Sequence, residues 1–364
     1  MNPSILSNLD RVLTSPLVAA LTAPYGVDRF LEPFNPMWSA TQVRGRIEAV
    51  QRQTRDSVTI TVRPNRHWQG FVAGQYARIE VEIDGVRRSR CYSLASAAPG
   101  RDGAVEFTIK QQDGGLVSTF LYAYAQVGMV LGLSQAEGEF VLPESPTTPL
   151  LLVAGGSGIT PVMSMLRTLD GRVSSAPVSM LYYVRTAADA IYGDELAALF
   201  ARHASWQLRV IHTRDGGSHF SPAHVDALVA DLAAVDTYVC GPAALIDALI
   251  ALSAERGCEA RLRHERFTAP VSTAVIDPNT VSGELRFIRS ERLATNDGRS
   301  LLDQAEAAGL RPEAGCRMGI CHSCTCRKTS GVVRDLRSGK LSSDGEEDIQ
   351  ICVSAAVGDV TLDL

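Results

Sequence analysis

The chain has 364 residues, 45% of them hydrophobic and 21% charged, with a formal net charge of −5. That length exceeds what one core serves and suits about two or three domains, and the composition excludes a disordered or membrane-embedded chain. The mild acidity is even along the chain, with 11 basic and 13 acidic residues in 283–364, and so nothing in it argues for nucleic acid as a partner.

In chain order, residues 1–40 read as a helical N-terminal extension that ends in the turn-prone LEPFNPMWS. Within it, Val12–Ala23 is the one stretch resembling a signal-peptide core. Pro16 interrupts it, and the neutral pair Asp10-Arg11 stands where a cationic region should be. It reads as an amphipathic helix or lid, with contact to a membrane surface as the alternative. Residues 41–144 change texture to short alternating segments (VRGRIEAV, SVTITVRP, YARIEVEI, VEFTIKQ) separated by Asp-Gly turns, which predicts an antiparallel β-barrel. After the proline-rich junction Pro143–Pro149, apolar strands alternate with helical stretches over 145–267, the pattern of a doubly wound parallel α/β domain. Residues 268–282 read as a linker, and 283–364 as a small β-grasp module. No apolar run approaches the ~20 residues needed to span a bilayer.

Four segments before the last module carry groups suited to binding anions and rings. In Arg90-Cys91-Tyr92-Ser93 the arginine can pair bidentately with phosphate, and the tyrosine, on the same strand face, can stack on an aromatic ring. The alternative is a surface arginine beside a half-buried tyrosine. Gly114–Thr119 is a glycine turn entering a helix, either a phosphate site or an ordinary turn and cap. Gly155-Gly156-Ser157-Gly158-Ile159-Thr160-Pro161 follows the strand LLLVA, so glycine, helix N-terminus and first-turn proline agree on a dinucleotide site. Val239-Cys240-Gly241-Pro242 ends a sheet strand, where ligands lie in open α/β folds; the alternative is a buried structural cysteine.

Five of the eight cysteines fall in the last 49 residues. That crowding favours a metal site in a reducing compartment over a disulfide framework. Cys316, Cys321, Cys324 and the distant Cys352 have the C-x4-C-x2-C…C spacing of a plant-type [2Fe–2S] cluster. Gly315, Gly319 and Ser323 supply the small residues such a loop needs. A four-cysteine zinc ribbon would show two C-x2-C knuckles, and here there is one. A Rieske centre needs two histidines, and only His322 lies in the loop. Cys326 reads as a spare, buried thiol.

Taken in order, R-x-Y-S, GG-x-x-S, G-x-G-x-x-P and C-G-P resemble the ferredoxin–NADP reductase superfamily over residues 41–267, and the last module resembles plant-type ferredoxins. Joined this way, the chain resembles the single-chain reductases of bacterial oxygenases and desaturases. NPMWS before VRGRI is similar to reductase partners of membrane fatty-acid desaturases and alkyl hydroxylases.

The resemblance implies FAD, NAD(P)H and a [2Fe–2S] cluster as cofactors. It implies that Arg90 holds the flavin pyrophosphate, Tyr92 packs on the flavin ring and Ser93 bonds near its reactive nitrogen. Gly115, Val117 and Ser118 would line the flavin phosphates, with Thr160 close to the ring. Gly156 and Gly158 would face the dinucleotide, and Cys240, Gly241 and Pro242 the nicotinamide. Glu265-Arg266-Phe267 resembles the E-x-F at the family's exit from the sheet, with Phe267 beside the flavin; Ser93, Cys240 and Phe267 would form the hydride-transfer centre. Arg185, after LYYV, could meet a 2′-phosphate, and no acidic residue immediately ends that strand to reject one, so NADH and NADPH both stay open.

The implied function is NAD(P)H-dependent reduction of a non-haem iron fatty-acid desaturase or alkyl hydroxylase, through FAD and the cluster. The rivals are the reductase of a soluble aromatic-ring oxygenase and a non-catalytic electron-transfer subunit or redox sensor. Arg317, Arg327, Lys328 and Arg334 would dock the partner, or else form a solvated charged face. The implied location is the cytoplasm, with a peripheral position at the inner membrane face, through the partner, as the extension of that reading.

Overall fold

A computed structural model describes residues 13, 15–23, 26–98, 103–172, 176–267, 282–315, 317, 319 and 322–364. They fall into two units, Met1–Glu265 and Arg266–Leu364.

Among the described residues, the first unit has the short helices Pro16–Thr22 and Asp28–Leu31 ahead of its strands. Strands β1 (Val43–Thr54), β2 (Ser57–Pro64), β3 (Tyr76–Ile83), β4 (Val86–Ser93), β5 (Val105–Lys110) and β6 (Val130–Leu133) follow, in the sheet order β4-β3-β6-β1-β2-β5. A bridge between Leu94 and Phe107 joins the outer strands, which closes the sheet into an antiparallel barrel. The Asp84-Gly85 turn between β3 and β4 has both residues at positive φ, the geometry that fits a right-twisted hairpin. Alternating Val58, Ile60 and Val62 fill the barrel together with Ile47, Ile79, Phe107 and Ile109, all fully buried.

The other set of β2 and β5 side chains is polar and also buried, because the α/β domain covers it. Thr59 bonds Thr108 at 2.6 Å, and Thr108 bonds the Tyr192 hydroxyl. Tyr192 sits at φ 60 just before the helix Gly193–Ala201. Arg167 crosses the same junction, donating to the Ala95 carbonyl at 2.8 Å and Glu106 at 2.5 Å while its other edge pairs with Glu195.

The α/β domain has β7 (Leu150–Gly155), β8 (Val178–Val184), β9 (Trp206–His212), β10 (Asp236–Gly241) and β11 (Leu262–Arg266) in the order β11-β10-β7-β8-β9. The pairs β10–β7, β7–β8 and β8–β9 are parallel. Every residue of β7 is buried, as expected of a strand covered on both faces. Strand order reverses direction between β7 and β10, and their carboxyl ends therefore flank the ligand crevice of a doubly wound sheet.

The second unit contains β12 (Glu284–Phe287), β13 (Arg292–Thr295), the helix Leu301–Ala307, β14 (Thr325–Asp335), β15 (Glu347–Gln350) and β16 (Ser354–Leu362). Its order is β13-β12-β16-β14-β15, with only β12 and β16 parallel, a β-grasp. Ser300 caps the helix by accepting from the Asp303 N–H at 3.2 Å. Leu285, Phe287, Leu301, Ala305 and Leu362 are fully buried in its core.

Candidate functional site

Three elements of the first unit converge where the barrel meets the crevice. β4 ends in Ser93, β10 in Cys240 and Gly241, and β11 carries Glu265. Burial raises the Glu265 carboxyl to about 8, and the nearby Ser93 hydroxyl draws it back only partly. Ser93 Oγ and Glu265 Oε2 are nonetheless both buried without a hydrogen bond of good geometry. Two such orphans beside each other suit a polar ligand, because an unpartnered buried group costs about 1–3 kcal/mol. Burial, reinforced by Glu265, pushes the Cys240 thiol well up and keeps it neutral. Glu265 was legible only as part of the E-x-F pattern; its burial follows from the sheet, which brings β11 beside β10.

On β4, Arg90 donates to the Ser89 carbonyl at 2.7 Å, and Tyr92 is half-buried against the barrel core. Burial raises the Tyr92 phenol, which stays protonated. Gly115 begins the helix Leu116–Tyr124. A Cβ there would lie 2.5 Å from Ser118 Oγ and 3.1 Å from the Gln112 carbonyl oxygen, so glycine leaves room for the Ser118 hydroxyl where it stands. The Ser118 hydroxyl receives the Gln112 N–H and lies 3.3 Å from the Gly115 carbonyl. The Val117 side chain is sealed in the barrel core, so only its backbone can face a ligand. These free first-turn N–H groups and the glycine-lined turn fit a phosphate.

At the crevice, the turn Gly156–Gly158 joins β7 to the helix Ile159–Asp170. Its glycines serve different ends. A Cβ on Gly158 would stand 2.1 Å from the Cys240 carbonyl oxygen, and one on Gly155 would stand 2.6 Å from Pro242. These two let the ends of β7 and β10 touch. Gly156 has φ +55 and open space around it, which leaves its backbone accessible to a ligand. Thr160 is buried and donates to the Ser157 carbonyl at 3.1 Å. Arg185 is already engaged, at 3.0 Å from Asp189 and 3.3 Å from Asp56.

In the second unit, Cys324 and Cys352 are both buried in one core, and the Cys324 carbonyl accepts the N–H of Ile351, the neighbour of Cys352. Cys316 and Cys321 lie outside the described residues. Between them, Arg317 and Gly319 have φ 58 and 73, and His322 follows at 53. Arg337 donates to the Gly319 carbonyl at 2.7 Å. The two described thiols, buried in one core beside three residues of left-handed backbone, fit a thiolate-held cluster. Cys326 is buried as expected, and burial pushes its thiol up to about 11. Phe267, in this unit, is half-buried just after β11.

One expectation is corrected here. Lys328 is not on a charged face: it is fully buried, and its Nζ donates to the carbonyls of Gly331, Ser343 and Gly345 at 2.6–2.9 Å. Arg317 and Arg327 are exposed to different degrees but paired, with Glu306 and Asp303 and with Glu346 and Asp348 respectively.

Comparison with known proteins agrees with this architecture. Residues 45–142 match the oxidoreductase FAD-binding domain, 152–250 the oxidoreductase NAD-binding domain and 287–357 the 2Fe-2S iron-sulfur cluster binding domain. An NADPH oxidoreductase of Mycobacterium tuberculosis is 40% identical over 353 residues, covering 96% of this chain and 91% of that protein. The glycine betaine monooxygenase reductase subunit of Chromohalobacter salexigens is 25% identical, covering 91% and 98%. The solved structure of phthalate dioxygenase reductase, described as modular for electron transfer from pyridine nucleotides to [2Fe–2S], superposes with TM-score 0.63 at 25% identity over 88% of this chain and 97% of that one. The fold and domains define an iron–sulfur flavoprotein oxidoreductase. The chain belongs to the ferredoxin–NADP reductase superfamily, in the branch with a C-terminal plant-type [2Fe–2S] domain, and its cofactors are FAD, NAD(P)H and a [2Fe–2S] cluster.

Proposed function

We propose that this oxidoreductase is the electron-supplying component of a non-haem iron oxygenase, and that its acceptor is a fatty-acid desaturase or alkyl hydroxylase. The observation that carries the reading is the succession of FAD-, NAD- and 2Fe-2S-binding domains in one chain, shared with a relative named as a monooxygenase reductase. The exposed apolar N-terminal segment favours a membrane-bound acceptor over a soluble ring-hydroxylating one. The domains are assigned as 1–40 extension, 41–144 flavin barrel, 145–267 nicotinamide domain, 268–282 linker and 283–364 cluster domain. The protein works in the cytoplasm, peripheral to the inner membrane face.

When bound, the cofactors accept a hydride and release electrons singly, chemistry that no side chain supplies. The chain's task is to bind, orient and exclude water. Arg90 and the first-turn N–H groups of Val117 and Ser118, after Gly115, would neutralise the flavin pyrophosphate. Tyr92 would cover the ring with a protonated phenol. Ser93 and Glu265, buried and short of partners, would bond the ring's polar edge, with Thr160 close to the ring; a place for Phe267 beside the flavin is what the family resemblance implies. A Glu265 raised to about 8 is protonated at neutral pH and can hold or donate a proton at its Oε atoms. Cys240, kept neutral, would press the nicotinamide against the flavin without adding charge, and Gly156, Gly158, Gly241 and Pro242 would seat the dinucleotide. Arg185, bound by two carboxylates, would exchange one of them to take a 2′-phosphate. Cys316, Cys321, Cys324 and Cys352 would hold the cluster.

The test is anaerobic stopped-flow with each nicotinamide, followed by cytochrome c reduction in wild type and Cys321→Ser. Flavin bleaching kept while cytochrome c reduction falls at least ~100-fold is expected. Absence of bleaching with both nicotinamides ends the reductase reading. A membrane desaturase that turns over only with this chain present would support the acceptor.

A further inference from the structure

The N-terminal segment exposes large apolar side chains that no described element covers. Leu17, Leu21, Phe30, Phe34 and Trp38 are 72, 76, 52, 82 and 50% exposed, five of the fourteen large exposed hydrophobic residues of the described chain within 22 positions. Leu17 and Leu21 are four apart on one helix and share its face. Phe30, Phe34 and Trp38 follow at the same spacing through the helix Asp28–Leu31 and the turns after it, where Phe34 N–H donates to Leu31 and Trp38 N–H to Asn35.

From Asp28 onward this surface is held in place by the chain itself. Both acidic side chains of the described segment are spent on anchoring it. Asp28 accepts from the Ser39 hydroxyl at 2.6 Å and the Ala40 N–H at 2.7 Å, and Glu32 pairs with the buried Arg44 at 2.7 Å. Arg44 also donates to the Pro36 carbonyl at 2.9 Å. What remains outward is apolar and cationic. Arg29 is exposed on the segment itself, and Arg66 borders it through the Ser39 carbonyl; Arg87, half exposed, lies 3.9 Å from Glu32 and 3.6 Å from Glu80, so it adds to the border only as a shared charge.

We infer that this face is a membrane contact of the protein's own, which seats Phe30, Phe34 and Trp38 at the headgroup level of an anionic phospholipid surface. Trp38, with its one polar edge, favours that depth, Phe30 and Phe34 add apolar area at the acyl boundary beside it, and an arginine border adds attraction to acidic lipids. Charge complementarity decides against a second copy of the chain, whose matching face would bring the same cations together. The inference deepens the peripheral placement proposed above and rests on it only for location, not for chemistry.

The experiment uses the full-length holoprotein and large vesicles of phosphatidylcholine with or without phosphatidylglycerol. Sedimentation should show binding at least ~10-fold tighter with phosphatidylglycerol, weakened by salt. Trp68 and Trp206 are buried, so a blue shift in tryptophan emission on binding reports Trp38. The double variant Phe30→Ser/Phe34→Ser should weaken binding at least ~10-fold with NADPH- or NADH-driven ferricyanide reduction unchanged; Leu17→Ser/Leu21→Ser provides a second, independent variant. No binding to either vesicle, binding indifferent to both variants, or an apolar-face-dependent dimer in solution would each overturn the inference. Co-sedimentation with native membranes but not with protein-free vesicles would also overturn it, while leaving placement through a partner intact.

Discussion

The crevice between β7 and β10 and the loop before β14 both rely on glycine, but divide the demand differently between space and backbone angle. At the crevice, Gly155 and Gly158 have φ −127 and −61, which any residue can adopt. They are glycine because the neighbouring strand end occupies the space of a side chain. Around the cluster loop, Gly319 shares positive φ with Arg317 and His322, so there the dihedral angle is a demand of its own, met at a cost by the non-glycine residues; at Gly319 it adds to one of space, since a Cβ would lie 2.6 Å from the Arg337 guanidinium and 2.7 Å from the Val353 side chain. The crevice is made by backbone contact between strand ends, whereas Arg317, Gly319 and His322 precede β14 on left-handed backbone.

The contrast is broken most severely by Gly158→Ala. Its Cβ would meet the Cys240 backbone, which cannot swing aside as a side-chain tip can. Flavin reduction by NAD(P)H should fall about 100-fold, with loss of about 3 kcal/mol in stability. Gly156→Ala, strained in φ but sterically open, should cost only about 1 kcal/mol. Stopped-flow bleaching and thermal unfolding of the pair separate space from dihedral; equal effects would refute the distinction.

Next in size is Lys328→Met. It removes a buried cation that satisfies three carbonyls, a loss of about 3 kcal/mol confined to the second unit. Cluster absorbance should bleach at lower urea while flavin absorbance holds. Simultaneous loss of both chromophores would show that the residue supports more than its own unit.

Glu265 tests the crevice by pH. Its folded value near 8 exceeds an unfolded carboxyl's, so its contribution to stability is complete at low pH and is lost as pH rises from about 4.5 through 8. Glu265→Gln should remove that loss. Urea unfolding at pH 5 and pH 9 should therefore show wild type declining relative to the variant by about 1–3 kcal/mol, after solvent screening.

The two regions were not equally legible in the chain. Cysteine spacing announced the cluster because ligand chemistry fixes residue type, and the strand–glycine–helix pattern announced the crevice. The crowding at Gly158 is not legible in the chain: it comes from Cys240, 82 positions away, which no local pattern displays. Lys328 read as surface charge because a lone lysine in RKTS gives no sign of three carbonyls arriving from Gly331, Ser343 and Gly345. Likewise the Thr59–Thr108–Tyr192 and Arg167 contacts, which join the barrel to the α/β domain, depend on tertiary pairing alone.

The smallest expected effect concerns the support of the cluster loop. Arg337 reaches the Gly319 carbonyl and is itself held by Asp335 at 2.7 Å. Burial works against the Asp335 charge, but the Arg337 side chain and the N–H groups of Ser338 and Arg337 hold its carboxyl down to about 2. That contribution is present above an unfolded value near 3.9 and is lost as pH falls toward 2. Asp335→Asn should thus cost about 1 kcal/mol at pH 7 and progressively less below pH 4. Arg337→Ala, which removes the loop contact as well, should cost more and speed cluster loss to a chelator. If Asp335→Asn speeds that loss as much as Arg337→Ala does, the carboxylate, and not the Gly319 contact, is what keeps the loop wound.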